Sequence, residues 1–388
     1  MTYFDWNATA PLHGAARKRF LEAFADAWSN PSTPYRRGVQ SRLALDEARS
    51  ELAVLAGVET EAVIFTSGAT EANNGMLREG ARRSGAQGEI WISAVEHPSV
   101  KEAASFFWGS DRVRSLPVGA TGVLDLNRLE EWLRKGRPAM VSVMAANNET
   151  GVLQPWREVQ QLCREGGIPF HCDAVQWFGK EDGQVCWEGL AGVTLSGHKF
   201  GGPKGVGALL VGPEWRGLTL QAGGAQELGS RAGTENIPAV LAMVAALKAC
   251  FKDPPGGYRR AARDSFEQAL LERWPDEVMI HGHASERLWN TSSVCLPEFR
   301  SERWILQLDR LGFEVSSGSA CSTGKAGPSA VLRAMGVTDD AIRRTIRVSS
   351  GWETEPADWE SLLDALVTVR ERLSGESSSA GPGTVIEI

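Results

Sequence analysis

The alternation of hydrophobic and polar stretches along the chain predicts alternating strands and helices. Six short apolar runs have the composition of buried strands: "AVIFTS" (62–67), "EIWISA" (89–94), "AMVSVMAA" (139–146), "IPFHCD" (168–173), "GVTLS" (192–196) and "GVGALLVG" (205–212). Helical patterns fill most of the gaps between them. Nearly continuous apolar strands separated by helices are typical of a mainly parallel sheet that is covered on both faces. The pattern therefore predicts an α/β fold.

A break in the pattern indicates a second, smaller unit in the C-terminal part of the chain. The helix predicted at about 236–252 is followed by "KDPPGGYRR", in which proline and glycine interrupt any regular element. Shorter strands and helices follow as far as residue 373. We expect a large domain of residues 15–255, a smaller α/β domain of residues 1–14 and 256–373, and a disordered tail of residues 374–388.

Composition and charge exclude several classes of function. The 388 residues, 42% hydrophobic and 23% charged, are enough for two globular domains with cores of their own. A net charge of -7 argues against nucleic acid or an anionic membrane as a partner, since both select for basic surfaces. The N-terminal residues lack a signal-peptide pattern, and no apolar run reaches about 18 residues. We expect a cytoplasmic protein with no membrane partner.

The cysteines indicate neither a disulfide framework nor a metal site. The chain has six, and no two of them form a C-x-x-C pair. Five lie in apolar or periodic stretches, where a free cysteine behaves as a small buried hydrophobic residue. Cys321 differs because it stands in "SSGSACSTGKAG" (316–327), a run of small residues that favours an exposed loop. The sequence therefore predicts one accessible thiol and no metal ligands.

Two of the predicted strands end in groups that suit a charged ligand. Ser67 and Thr70 lie in "TSGATEANNGML", where a strand gives way to a helix whose N-terminus can bind an anion. A simple helix cap explains that stretch equally well. Asp173 ends "IPFHCD" and is followed by Gln176, and a carboxylate at a buried strand end needs a cation or a donor. A structural salt bridge is the alternative there.

Lys199 is the third part of this pattern. It lies in "LSGHKFGGPKG", which is not a phosphate-binding P-loop because Pro203 stands where the lysine of that motif would be. Glycines permit close approach to Lys199, and a desolvated lysine suits Schiff-base chemistry, although a solvated surface lysine is the ordinary reading. A further strand ends at "NNETG" (147–151), which by itself indicates only a turn. Together, an anion anchor, a strand-end carboxylate and such a lysine predict a site for pyridoxal 5'-phosphate.

Eight motifs in order carry a resemblance to a known family: "SGATEANN", "VEHPSV", "NNETG", "HCDAVQ", "SGHKFGGPKG", "RAGTEN", "SSGSACS" and "IRVSSG". The chain resembles class V aminotransferase-fold enzymes over nearly its whole length, and specifically the NifS/IscS-type cysteine desulfurases. The resemblance implies the pyridoxal-phosphate-dependent fold of type I, with a mainly parallel seven-stranded sheet in the large domain and a smaller α/β C-terminal domain.

The resemblance also implies roles for individual residues of this chain. Lys199 is expected to hold the cofactor covalently, Asp173 to pair with its pyridinium nitrogen, and His97 to stack on its ring and serve in proton transfer. The other expected cofactor contacts are Asn148 and Gln176 near the phenolic oxygen, Ala69, Thr70, Ser196 and His198 at the phosphate, and Thr234 at the phosphate of a neighbouring subunit. Arg347 and Asn30 are expected to bind the substrate carboxylate. A homodimer follows by analogy.

In this family the loop cysteine takes sulfur from L-cysteine, leaving alanine and a persulfide that passes to an acceptor protein. Cys321 is at the matching place, and the acceptor could belong to iron–sulfur cluster assembly or to a thiolation pathway. Two other hypotheses stay open on sequence. An aminotransferase or lyase for another amino acid, including selenocysteine, would keep Lys199 and Asp173 without needing Cys321. A nonenzymatic sulfur-assembly scaffold would leave Lys199 without a cofactor.

Overall fold

The structure is a computed structural model that describes residues 1–181, 184–185, 188–253, 257–318 and 328–379. A central sheet of seven strands organises the larger part of the chain. These strands are β2 (Val63–Thr66), β3 (Ile90–Ser93), β4 (Val113–Leu116), β5 (Met140–Ser142), β6 (Phe170–Asp173), β7 (Leu190–Ser196) and β8 (Gly207–Val211), with β1 (Thr2–Tyr3) outside the sheet. Their order across the sheet is β2-β8-β7-β6-β5-β3-β4. Only β8 runs antiparallel to its neighbours, so the sheet is mainly parallel, as predicted.

Helices cover both faces of this sheet. They are α1 (Gly14–Asp26), α2 (Arg36–Ala56), α3 (Ala69–Ser84), α4 (Pro98–Trp108), α5 (Leu126–Lys135), α6 (Trp156–Glu165) and α7 (Ile237–Lys252). Successive residues of a strand point to opposite faces, so Trp91 joins the apolar cluster that includes α2 and α7, while Ile90 and Ile92 join the one formed by α3 and α4. This two-sided burial explains why the strands are almost wholly apolar.

All six predicted apolar runs contain a strand, but the seventh strand has a different pattern. β4 reads "VRSL" and exposes Arg114 and Ser115, because it lies at the edge of the sheet. A strand with polar residues of this kind does not form an apolar run, and the hydrophobic pattern therefore does not predict it. The run at 139–146 is a strand only as far as Ser142, after which the chain bends into the cavity described below.

The C-terminal part of the chain builds a second core. Its elements are α8 (Gly257–Arg273), β9 (Met279–Ile280), β10 (Thr291–Cys295), α9 (Ser301–Arg310), β11 (Phe313–Glu314), α10 (Ala330–Ala334), α11 (Asp339–Arg343), β12 (Thr345–Ser349) and α12 (Pro356–Ser379). β12, β10 and β9 form an antiparallel sheet, and β1 pairs with β11 in parallel. Phe4 packs in one apolar cluster with Trp304 and Trp359. The exact domain division stays a prediction.

The end of the last helix differs from the expectation. α12 continues to Ser379, so residues 374–379 are helical where the sequence predicts a disordered tail. Leu373 is buried in the second core, and the helix extends beyond it. Within the described part of the chain, no helix combines the length and apolarity needed to cross a lipid bilayer.

The N-terminal segment connects the two cores directly beneath the cavity. Trp6 N donates to Ser349 O of β12, and Ala10 N donates to His198 O in the turn that follows β7. Residues 7–9 are thus held between the second core and the central sheet. This brings Ala8 and Thr9 to the wall of a cavity at the carboxyl ends of the strands.

Candidate active site

A cavity of about 510 Å³ opens at the carboxyl ends of the central strands. Ligands bind at this end of open α/β sheets because the loops that follow the strands diverge there. Nine of the predicted site residues line it: Ala69, Thr70, His97, Asn148, Asp173, Gln176, Ser196, His198 and Lys199. The tertiary structure therefore gathers these groups from five separate stretches of sequence.

Lys199 enters the cavity from a short 3₁₀ turn, Gly197–Lys199, directly after β7. Its Nζ donates to Asn7 O at 2.7 Å and to Ala8 O at 2.8 Å. The turn is tightly packed, because a Cβ on Gly197 would lie 3.0 Å from Met243 Cγ and 3.2 Å from Pro203 O. The small residues around the lysine thus let the chain turn sharply and present the amine to the cavity.

Asp173 is the last residue of β6 and is only 5% exposed. Its Oδ2 accepts from Asn73 Nδ2 at 2.8 Å, and its Oδ1 accepts from Val175 N at 3.1 Å. Within the described ranges it forms no salt bridge, so the salt-bridge alternative has no partner there. A buried carboxylate held by neutral donors can accept a cationic ligand group.

Asn73 is a site residue that the sequence reasoning did not single out. It is fully buried on α3, and its Nδ2 donates both to Asp173 and to Ser99 Oγ at 2.9 Å. Ser99 Oγ lies 2.9 Å from His97 Nδ1, so a chain of hydrogen bonds joins His97 to Asp173. The signal was available: Asn73 stands three and four residues before Met76 and Leu77, on the apolar face of its helix.

His97 caps the N-terminus of α4, with its Nδ1 accepting from Ser99 N at 3.1 Å. Burial lowers the pKa of His97, and the nearby Lys199 and Lys101 lower it further, although Asp173 opposes them. The ring is therefore predominantly neutral at pH 7. A neutral imidazole in a cavity wall can stack on an aromatic ligand and can accept a proton.

The start of α3 lies at one end of the cavity, where a helix N-terminus suits an anion. Gly68 precedes the helix at φ 152°, and a Cβ on Gly207 of β8 would lie 2.8 Å from Gly68 Cα. Ser196 and His198 lie across from this turn, and His198 Nδ1 is 3.2 Å from Thr9 Oγ1. Burial lowers the pKa of His198 to about 4, so its ring is neutral. Lys204, which the sequence reasoning also passed over, adds a positive charge to this end.

The two residues predicted to bind the substrate carboxylate, Arg347 and Asn30, are not brought together in the same way. Arg347 is buried on β12 beside the cavity, where Nη2 donates to Asp5 Oδ1 at 2.6 Å and Nη1 to Asn148 O at 3.0 Å. Asn30 is exposed and accepts from Ser32 N, and it does not line the cavity. Thr234 is also exposed and outside the cavity in the single chain.

Cys321 lies outside the described residues, but the chain on either side of its loop reaches the site. Gly318 O accepts from Arg347 Nη1 at 3.5 Å, and Ser329 Oγ donates to Glu149 Oε2 at 2.5 Å. Burial raises the pKa of Glu149, while Ser329, Arg347 and Lys101 act against that rise. Both described ends of the cysteine loop therefore lie beside the cavity and Arg347.

These groups fit pyridoxal 5'-phosphate. The cavity offers a lysine amine at one wall, a buried carboxylate without a cationic partner in the described ranges, and a helix N-terminus with nearby Lys204 for a phosphate. Asp173 matches a pyridinium nitrogen, and Lys199 matches the carbonyl carbon of the ring substituent.

Comparison with known proteins agrees with this geometry. The family Aminotransferase class-V matches residues 2–362. A cysteine desulfurase of Gluconacetobacter diazotrophicus is 36% identical over 96% of this chain and 94% of its own length. The cysteine desulfurase IscS of Dictyoglomus turgidum is 35% identical over 96% of this chain and 95% of its own.

Solved structures show the same likeness. A NifS-like protein superposes with a TM-score of 0.86 at 28% identity, covering 96% of this chain and 99% of that one. The protein SspA in complex with cysteine superposes with a TM-score of 0.77 at 28% identity, covering 90% and 98%. The chain belongs to the class V aminotransferase family and, within it, to the NifS/IscS-like cysteine desulfurases, which are pyridoxal-phosphate-dependent enzymes.

Proposed function

We propose that this protein converts L-cysteine to L-alanine and transfers the sulfur to Cys321 as a persulfide. The observation that carries the proposal is the meeting of Lys199, Asp173 and the N-terminus of α3 in one cavity, beside Arg347 and both ends of the Cys321 loop. A cysteine loop that begins and ends at the cavity suits a thiol that takes a group from a bound substrate.

Each residue has a defined task in this proposal. Pyridoxal 5'-phosphate, when bound, withdraws electrons from the substrate's α-carbon. Lys199 anchors the cofactor, and the Asp173 carboxylate, held by Asn73, keeps the ring nitrogen protonated. His97 provides a neutral imidazole for proton transfer. Asn148 and Gln176 contact the phenolic oxygen side, and Ala69, Thr70, Ser196 and His198 contact the phosphate.

The substrate carboxylate is assigned to Arg347, whose planar guanidinium suits bidentate binding. In the free protein Asp5 occupies one edge of this group at 2.6 Å. Substrate binding therefore competes with Asp5 or uses the Nε edge, which is buried and has no hydrogen-bond partner in the described part of the chain. Asn30 is the proposed second ligand of the carboxylate.

The sulfur transfer balances without an external oxidant. The C–S bond of L-cysteine breaks, an S–S bond to Cys321 forms, and a proton replaces sulfur on the β-carbon to give L-alanine. The persulfide then passes to a sulfur-acceptor protein, or to an added thiol that releases it as sulfide. We assign the acceptor to iron–sulfur cluster assembly or a thiolation pathway and place the reaction in the cytoplasm.

We also propose that the active protein is a homodimer in which Thr234 contacts the phosphate bound by the partner subunit. Two features support it. Thr234 is exposed outside the cavity of its own chain. A patch of large apolar side chains is also exposed along α1 and the loop to α2, comprising Leu21, Phe24, Trp28 and Tyr35. Light scattering is expected to give twice the 42.0 kDa chain mass, and a monomer that retains full activity would contradict the proposal.

The experiment that tests the function follows sulfide and alanine in parallel from L-cysteine and a reductant. The wild type is expected to give equal amounts of both. Cys321→Ala is expected to lose both products and to keep the yellow cofactor band, whereas the matched control Ser322→Ala, at the next position in the same loop, keeps its activity. Turnover of another amino acid by a cofactor-loaded protein, unaffected by Cys321→Ala, would overturn the assignment.

A further inference from the structure

A second lysine, Lys180, is buried directly behind the cavity and has no assigned task. It is 2% exposed, and its Nζ donates to Asn7 Oδ1 at 2.8 Å and to Gln176 Oε1. Both partners are neutral amide oxygens, and within the described ranges the amine forms no salt bridge. Burying an amine without a counter-ion is costly, so its retention calls for an explanation.

The backbone around Lys180 is fixed from several sides. A Cβ on the preceding Gly179, which has φ 76°, would lie 2.5 Å from Phe200 Cβ, next to Lys199 in the chain. Trp289 Nε1 donates to Lys180 O at 3.2 Å, and Lys180 N donates to Trp177 O. The amine is therefore held in one place relative to the turn that carries Lys199.

An amide side chain has two ends of opposite hydrogen-bonding character, and its neighbours decide which end points where. A lysine amine offers at least two N–H donors in either charge state, and here it donates to the oxygen atoms of both Gln176 and Asn7. Gln176 Nε2 then faces away from Lys180 and donates to Asn7 O at 2.9 Å. Asn7 Nδ2 is likewise directed to Thr291 Oγ1 and Asn148 O.

The Asn7 carbonyl is shared with Lys199. Its oxygen accepts from Gln176 Nε2 and from Lys199 Nζ, at 2.9 Å and 2.7 Å. Asn7 thus links Lys180 directly to Lys199, whose amine anchors the cofactor. Burial lowers the pKa of Lys180 well below its ordinary value, and the charges of Lys199 and Arg347 act in the same direction.

We propose that Lys180 is a positioning residue of the cofactor site, which acts by orienting the amide of Gln176 against the cavity. The inference rests on the proposed cofactor site and extends it to a residue that does not line the cavity. Without the amine, Gln176 Oε1 loses its donor, and the amide is free to rotate its two ends.

The test measures the dissociation constant of pyridoxal 5'-phosphate from apoenzymes, together with the position of the bound absorbance band. Lys180→Met is expected to weaken binding about tenfold, as loss of a buried hydrogen bond does, and to shift the band. Lys180→Gln keeps N–H donors and is expected to bind more tightly than Lys180→Met. Lys135→Met, an exposed lysine on α5, is the control and should match the wild type.

A double-mutant cycle separates positioning from general support of the fold. In a Gln176→Leu background, replacing Lys180 by Met should add little further loss of affinity, because the group through which it acts is already gone. Fully additive effects, or unchanged affinity and absorbance in a folded Lys180→Met, would overturn the inference. If Lys180→Met does not fold, the cycle is run with Lys180→Gln. A wild type that binds no cofactor would instead overturn the proposed function.

Discussion

The two ends of the central sheet both carry open cavities, and the contrast between them shows what marks a site. The cavity at the carboxyl ends measures about 510 Å³, and one at the amino ends, lined by Trp91, Arg114, Lys135 and Arg137, measures about 600 Å³. The amino-end cations are exposed. At the carboxyl ends, Asp173 is buried and Lys199 half-buried, and both are held by hydrogen bonds.

Volume alone does not distinguish these cavities, but they differ in how far their charged side chains are removed from water. Exposed charges interact mainly with water and are worth little. Charges held in a partly closed wall keep a fixed direction and bind a complementary ligand strongly, which is why functional sites gather there. The comparison therefore predicts large effects from changes at the carboxyl end and small ones from equivalent changes at the amino end.

The largest effect is expected from Lys199→Ala. Without the amine the protein cannot attach the cofactor covalently, and turnover of L-cysteine should fall at least about a thousandfold, the scale of losing an essential proton-transfer group. Turnover and the absorbance of the dialysed protein measure this. Arg114→Ala is the control from the amino end, where its stacking over the Trp132 ring at 3.7 Å and the Trp91 ring at 5.4 Å is lost. Comparable losses of turnover in both variants would contradict the expected difference between the two cavities.

An intermediate effect concerns stability in acid. His171, on β6 two residues before Asp173, is fully buried between Ser142 and Thr194, and burial lowers its pKa to about 4. Above pH 6.5 the ring is neutral in the folded and unfolded chain alike. Between pH 6.5 and 4 only the unfolded chain binds a proton there, so the free energy of unfolding falls by about 3 kcal/mol across this window.

Urea unfolding of the apoenzyme at pH 7 and pH 4 measures this dependence. His171→Gln should reduce the difference between the two pH values by about the same 3 kcal/mol. The comparison with wild type cancels the contribution of buried Glu96, whose pKa is raised by burial and which acts in the opposite direction. His283→Gln, at an exposed position, serves as the control. An unchanged difference in His171→Gln would contradict the prediction.

The smallest effect is expected from Asn73→Ala, which tests a single hydrogen bond at the carboxyl-end cavity. The substitution removes the donor to Asp173 Oδ2 and should weaken cofactor binding at least about tenfold, since a hydrogen bond to a charged group contributes about 1.5–3 kcal/mol. Asn74→Ala is the matched control on the same helix, because its side chain donates to Thr70 O rather than to Asp173. Equal affinities of the two variants would show that Asp173 needs no such support.

Much of the fold could be predicted from the sequence because the spacing of apolar residues along a strand or helix reflects which of them are buried. The six apolar runs and the helix at 236–252 were confirmed on that basis. The edge strand β4 was not predicted, since its exposed Arg114 and Ser115 interrupt the apolar pattern that marks a buried strand. The helical residues 374–379 carry no apolar periodicity of their own and extend a helix anchored earlier, at Leu373.

The chemical groups of the site could also be predicted from the sequence, because a lysine among glycines and a carboxylate at a strand end are local patterns. Their partners were not. Asn7 meets Lys180, Gln176 and Lys199 only because β6, β7 and the N-terminal segment converge in three dimensions. Hydrogen bonds between residues far apart in sequence, such as Lys199 and Asn7 at 192 positions, leave no trace in local periodicity. The sequence alone determined which chemistry the chain carries, and the tertiary structure decided which side chains hold that chemistry in position, since only folding brings distant donors and acceptors within reach.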